Sequence, residues 1–414
     1  MKVMFVNPHY PHDPYTLLLH PPLGYAYMAR QLKAVGHEVI HVDLPFLGND
    51  PNQLSAALDE YRPDLVGITS VDYVLLYDAE HSVVELCAAL DAGGTDDVLR
   101  KVPGLCYRDG DGRPSTTTPS PPLMELDELG RPDRSIFDLA PYLDYDYETV
   151  VMTARGCPSR CTFCSTTVSG RRARWNGPAH ICDELEEVSG YGFRSVFFGD
   201  DTFSGDPRRT IAICNEMQAR GLSIPWTSNM RAQDARPAVL EAMRAAGAYR
   251  VFMGFESIQK ATLRLVKKGA TPERMIEKAE LVRQFGLELH ASFIIGAPGD
   301  TDETLAATMD YIRLLNPTVA TFNVMEPRPG TDVYHNPQRY GMTIPDPYWY
   351  ESSSWLDMPV CANEQLDQEK IRNWVDRCYL EFCSGDFRSP EQLGKLNEVE
   401  DQWRSSGLTA PVAS

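Results

Sequence analysis

Apolar and polar positions alternate along the chain in a rhythm of short runs and longer amphipathic stretches. The run Val3 to Val6 reads as a buried strand ending at Asn7-Pro8. A helical stretch from Leu23 to Val35 follows, with Ala26, Met28-Ala29 and Leu32 on one side and Gly36 as its stop. Then come a strand over Glu38–Val42, a helix over Asn52–Tyr61 and a strand over Leu65–Thr69. Strands alternating with helices predict a parallel, doubly wound sheet.

Residues 110–148 are rich in Pro, Gly, Ser, Thr and Asp and read as a turn and then a linker. From Val150 the alternation resumes. Strands are predicted over Val150–Ala154, Ser195–Phe198, Ile224–Ser228, Arg250–Gly254, Leu289–Ile295 and Val319–Met325. Asp206-Pro207, Pro237, Thr271-Pro272 and Asp300-Thr301 open the helices between them. Six βα units in series predict an open, partial (β/α) barrel rather than a closed one of eight. The fold class is therefore α/β, with four segments: a truncated Rossmann-like domain (1–109), a linker (110–148), the partial barrel (149–331) and an aromatic, helical extension (332–414).

Charge narrows the partners. The 414 residues hold 39 Lys+Arg against 58 Asp+Glu, a formal net charge of −19. Such a field repels phosphate backbones and anionic membranes and draws cationic small molecules. The longest apolar runs are strand-sized, and the first residues are too short and too soon interrupted for a signal peptide. The expectation is a soluble, cytoplasmic protein.

Ten cysteines in a chain this long do not make a disulfide scaffold. Seven are scattered, but Cys157, Cys161 and Cys164 stand within eight residues, in the loop after the first barrel strand. Three thiolates on one tight loop can each hold a different iron of a cubane cluster, leaving the fourth iron open. Structural zinc closes with four protein ligands, and no fourth Cys or His stands at matching spacing; His180 is the nearest histidine. With its Cys-x₃-Cys-x₂-Cys loop after a strand, the chain resembles the radical SAM superfamily. The resemblance implies a [4Fe–4S] cluster on Cys157, Cys161 and Cys164, S-adenosylmethionine chelated by the open iron, a 5′-deoxyadenosyl radical, and an external electron donor of flavodoxin or ferredoxin type. It also places Phe163 beside the adenine.

Barrel sites collect at the C-terminal ends of strands, and every predicted strand end carries polar groups or glycine. Carboxylates there can hold an ammonium group or move protons. Ser228 and Arg231 are candidates for ribose and carboxylate. By family position, Asp200 and Asp201 resemble the element near the SAM amino group, Glu256 and Ser257 the motif near ribose and carboxylate, and Ile295-Gly296 the adenine turn. Glu256, Glu326 and Asp200 are the candidate acid–base residues. The plainer alternative is that Asp201 or Ser257 caps the helix that follows.

The first 109 residues resemble the cobalamin-binding domain of one radical SAM class, through Val3–Pro8, Pro21–Ala29, Gly36–Val39, Asp64–Thr69 and Pro103–Asp109. One departure stands out. Ser70 runs straight into Val71–His81, so a central βα unit is absent, and an open sheet that loses a unit loses one wall of its ligand crevice. This argues against cobalamin, with His9, His12 and His20 left as surface or interdomain residues. Diol-dehydrating enzymes of aminoglycoside biosynthesis share such a truncation. The expectation is thus radical dehydration of a cationic, polyhydroxylated small molecule, with a reductase acting downstream; the alternative is cobalamin-dependent methylation. The aromatic run Pro345–Glu351 with Trp355 is expected at the open side of the barrel.

Overall fold

The computed structural model describes residues 1–7, 21–44, 51–67, 72–144, 148–165, 170, 172–349 and 359–384. It forms two compact units, one of residues 1–159, 166–229 and 245–248, the other of residues 160–165, 230–244 and 249–414.

In the first unit, β1 (Lys2–Asn7) lies between β2 (Glu38–Asp43) and β3 (Leu65–Gly67), all parallel, with Val3 opposite both Val39 and Leu65. Both faces of β1 are covered. Val3 and Phe5 pack with Ala29, Leu32, Val39, Val83 and Cys87, while Met4 and Val6 pack with Val42. That is why β1 reads as a continuous apolar run instead of an alternating one.

The next stretch departs from expectation. Strand β4 (Tyr73–Leu75) does not extend the parallel sheet. It pairs antiparallel with β5 (Leu105–Arg108), which pairs in turn with β6 (Pro114–Thr116). Part of the expected linker is therefore a hairpin arm, closed by Asp109, whose Oδ1 accepts the N–H groups of Asp111 and Arg113. Turn chemistry at Asp109–Gly112 looks the same in a linker and in a hairpin.

Three strands of the (β/α) series follow in this unit: β7 (Thr149–Val151), then β10 (Val196–Phe198) and β11 (Trp226–Asn229), paired parallel in chain order. Between β7 and β10 lies a small antiparallel pair, β8 (Ala154–Arg155) and β9 (Arg174–Trp175). The cysteine loop runs out of β8. Buried Arg134 ties this region together, donating to the Val150 carbonyl (2.9 Å) and to the buried Glu184 (2.7 Å).

The second unit holds β12 (Ala248–Glu256), β13 (Glu288–Ile295) and β14 (Val319–Val324), again parallel in chain order. β13 alternates intermediate and buried residues along its whole length, with Leu289, Ala291, Phe293 and Ile295 inward. Its helices start where the sequence places them: Thr271 caps Pro272–Gln284, and Thr301 with Thr304 forms a capping box on Asp302–Leu315. Phe322 of β14 packs edge-on against Tyr379 and Phe382 of the helix Gln368–Cys383, and its N–H donates to the Tyr379 hydroxyl (3.1 Å). Trp349 is buried and donates to the Pro327 carbonyl (3.3 Å). Tyr350, Glu351 and Trp355 lie outside the described residues, as do His9, His12 and His20.

Candidate active site

Cys157 is buried, and its N–H reaches the Gly170 carbonyl (3.3 Å). The loop base in the first unit rests on carboxylates. Asp200, at the end of β10, is fully buried and accepts the main-chain N–H groups of Thr153 (2.6 Å) and Ala154 (2.8 Å) as well as the Thr153 hydroxyl. Burial raises its pKa, opposed by Arg209, which donates to the Thr153 carbonyl and hydroxyl. Asp201 accepts the Gly156 N–H (3.1 Å) and so grips the residue before Cys157. The following helix is capped by Asp206 instead. Ser228 is fully buried and its hydroxyl has no hydrogen-bond partner among the described residues, while neighbouring Asn229 donates to the Asp200 carbonyl (2.9 Å).

Residues that sequence reasoning left aside complete this base. Arg155, two before Cys157, donates to Asp78 (2.8 Å) and Glu80 (2.5 Å), stacks over Tyr27, and shares Asp78 with buried Arg174. Burial alone would push the Asp78 carboxyl up, but Arg174 and Arg155 hold it below its ordinary range. The visible signal was an acidic turn at Asp78–Glu80 and an arginine inside Ala154-Arg155-Gly156. The Arg155–Asp78 contact spans 77 residues of sequence, beyond any local pattern. His180, the nearest histidine, faces Asp127 (3.7 Å).

In the second unit, Cys161 and Cys164 are half-buried. Thr162 donates its N–H to the Val266 carbonyl (3.1 Å), and the Cys161 Sγ lies 3.9 Å from the Lys267 carbonyl. Phe163 packs against the cluster of Met325, Val333, Tyr340, Met342 and Cys361. Glu256 ends β12 at a bulge, with φ of 64°, and pairs with Lys268 (2.7 Å). A non-glycine residue in that region of φ marks stored strain of about 1–3 kcal/mol. Lys268 is buried between Glu256 and the charge field of Cys161 and Cys164, all of which favour its ammonium form against burial.

Ser257 is buried, and its hydroxyl accepts the Gln259 N–H (3.1 Å), a turn ahead of the helix Lys260–Leu265, which it does not cap. Arg231 pairs with Asp234 (2.7 Å), and Glu326 with Arg328 (2.8 Å). Ile295 is fully buried. Gly296 has φ of 80°, and a Cβ there would meet Ile371 at 2.7 Å, so glycine is required twice over. Asp300 closes that turn, accepting the Ala297 N–H (2.9 Å) and the Gln259 amide (3.0 Å), with burial pushing its carboxyl up to about 7.

Among the described residues, no three His, Cys, Asp or Glu side chains converge as ligands of one metal ion would. A cubane asks for something else, one thiolate per iron. The donor set fits it: all three loop cysteines are free thiols within eight residues, one for each of three irons.

Residues 151–312 match the radical SAM superfamily. This region is a radical SAM domain. The three cysteines of the loop lie within it, as their spacing implied. An uncharacterized methyltransferase of Pyrococcus horikoshii is 29% identical over 87% of each chain. An anaerobic magnesium-protoporphyrin IX monomethyl ester cyclase of Rubrivivax gelatinosus is 26% identical over 92% of this chain and 77% of its own. Among solved structures, the cobalamin-dependent S-adenosylmethionine radical enzyme OxsB, with aqua-cobalamin and S-adenosylmethionine bound, matches with a TM-score of 0.75 at 18% identity, over 98% of this chain and 71% of that one. That likeness bears out the α/β fold class.

Two expectations are corrected by these findings. Radical dehydration of an aminoglycoside-like diol is overturned, because the relatives are a methyltransferase and a cyclase. The expectation against cobalamin is overturned as well. The match to OxsB runs through 98% of this chain, and that protein has aqua-cobalamin bound. The missing unit was expected to remove one wall of the ligand crevice, yet β2-β1-β3 keeps a parallel sheet without it.

Proposed function

We propose that this chain is a cobalamin-dependent radical SAM methyltransferase. The observation that carries the reading is its alignment with the uncharacterized methyltransferase of Pyrococcus horikoshii along 87% of both chains, with a parallel Rossmann-like sheet ahead of the three-cysteine loop. When bound, the cluster with S-adenosylmethionine supplies the deoxyadenosyl radical, and cobalamin supplies the carried methyl group. The chain's own residues position and exclude. Cys157, Cys161 and Cys164 are the cluster ligands. Asp200 and Asp201 act as positioning residues, fixing Thr153, Ala154 and Gly156 just ahead of Cys157. The unpartnered Ser228 hydroxyl is supported as a SAM contact by its burial, since an orphaned hydroxyl costs about 1–3 kcal/mol until something bonds it.

The test is anaerobic reconstitution with iron, sulfide and hydroxocobalamin, followed by desalting. Iron near about four per chain, with stoichiometric cobalamin, is expected. Addition of S-adenosylmethionine and a reductant should then yield both S-adenosylhomocysteine and 5′-deoxyadenosine. Full iron without retained cobalamin would sink the methyltransferase reading.

A further inference from the structure

Between Lys260 and Arg274 the chain carries five basic side chains and one acidic one, in a protein whose net charge is −19. Two of the five are neutralised: Lys260 pairs with Glu273 (2.5 Å) and Lys268 with Glu256 (2.7 Å). Arg264, Lys267 and Arg274 are exposed and form no ion pair among the described residues. Lys267 feels Asp332, whose carboxylate is already engaged by Tyr340, Asn336 and Arg339. The three cations line one groove of about 410 Å³ together with Leu263, Gly269 and Thr271, and Leu265 is exposed on the same short helix.

The place of this groove gives it a use. The main chain that carries these cations is the one the cysteine loop touches, through Thr162 N to Val266 O and Cys161 Sγ to Lys267 O. Arg160, exposed and next to Cys161 in sequence, adds a further cation to the same loop. Clustering like charges without partners destabilises a surface. On a chain so acidic, a concentrated basic patch at the cluster loop selects for an acidic macromolecule that must come close to the cluster. Nucleic acid is the poorer fit, because the remaining surface repels it at long range.

We infer that the Arg264–Lys267–Arg274 groove is the docking surface for an acidic ferredoxin-type electron donor. The inference rests on the cluster reading of Cys157, Cys161 and Cys164. In the encounter, one electron leaves the donor's reduced iron–sulfur centre, which is oxidised. The same electron reduces the cluster held by the cysteine loop; no bond forms and no proton moves.

The test is the double variant R264E/R274E, which leaves Lys267 and its carbonyl in place. Reduction of the reconstituted cluster is followed by its loss of visible absorbance in stopped flow, with reduced plant-type ferredoxin or photoreduced deazaflavin as donor. The ferredoxin rate should fall about tenfold or more and lose its salt dependence, while the deazaflavin rate and iron content stay at wild-type levels. Calorimetry with oxidised ferredoxin, independent of turnover, should show binding at low salt to the wild type and none to the variant. An unchanged ferredoxin rate overturns the proposal, and so does equal slowing with deazaflavin. Tighter binding of a DNA oligonucleotide than of ferredoxin to the wild type also overturns it. A wild type that takes up no iron removes the cluster reading, and this one with it.

Discussion

The same eight-residue loop is held in two different ways in the two units. At its base in the first unit, buried charge dominates: Arg155 bridges Asp78 and Glu80, Arg174 shares Asp78, and Asp200 saturates three donors from Thr153 and Ala154. In the second unit, two main-chain carbonyls at Val266 and Lys267 meet the loop, and one ion pair, Glu256–Lys268, stands nearby. Glu256 and Lys267 both have positive φ there, 64° and 55°. The first arrangement is over-determined and rigid. The second holds the loop by main-chain bonds, the Val333 N–H to the Thr162 carbonyl (3.3 Å) among them, and by apolar packing of Phe163, with two strained residues alongside, and such strain gathers where ligands and partners are admitted.

The largest effect should come from the shared element itself. Replacing Cys157, Cys161 or Cys164 singly with alanine removes a ligand from the cubane and should abolish iron retention and SAM cleavage together. Iron assay and 5′-deoxyadenosine quantification check it. A Cys161→Ala protein that still makes 5′-deoxyadenosine would break the cluster assignment.

Next comes the rigid base. Arg155→Ala strands Glu80, one of whose oxygens already has no partner among the described residues, and leaves Asp78 with Arg174 and the Leu123 N–H. Breaking one side of a buried ion pair costs about 3–5 kcal/mol, read as a fall in the urea midpoint. A loss below about 1 kcal/mol, the range of exposed pairs, would show that this network is solvated and that the contrast between the two units is overstated.

The strained side should give a smaller loss, and one that can be rescued. Lys268→Met leaves the Glu256 carboxylate mostly buried at positive φ, at a cost of about 1–3 kcal/mol. Adding Glu256→Gly removes the orphaned carboxylate and the φ strain together, so the double variant should recover most of that loss. Additive destabilisation in the double-mutant cycle would mean that the two residues do not act as a pair.

How much of this was legible in the sequence differs by feature. The strands and helices of the (β/α) series were, because alternation and capping residues such as Thr271 and Thr301 are local signals. The cysteine loop was legible for the same reason. Contacts such as Arg155–Glu80 and Cys161–Lys267 span 75 and 106 residues, and no spacing rule reports them. The antiparallel β4-β5-β6 arm was misread because a hairpin turn and a linker share their composition. The shortened N-terminal domain misled most. A missing unit is visible in sequence, but whether the remaining sheet still carries its ligand depends on three-dimensional fit, and inference from absence overreached.

The smallest expected effect concerns Asp300, a buried carboxyl on the strained side, and it is a change of slope. Its pKa of about 7 lies above the ordinary value of 3.8, so between these limits the folded chain binds more protons at this site than the unfolded chain. Stability therefore falls as pH rises through that window, and the loss is complete above about 7. An asparagine in its place has no proton to lose and removes that slope. In Asp300→Asn, one acceptor can still serve the Ala297 N–H, but the new amide faces the Gln259 amide, which must turn and give up its bond to the Gly299 carbonyl. The variant should thus be about 1 kcal/mol less stable at pH 5 and draw level with or pass the wild type by pH 8. Urea midpoints at the two pH values decide it, and parallel curves would show that this carboxyl is already ionised in the folded protein at pH 5.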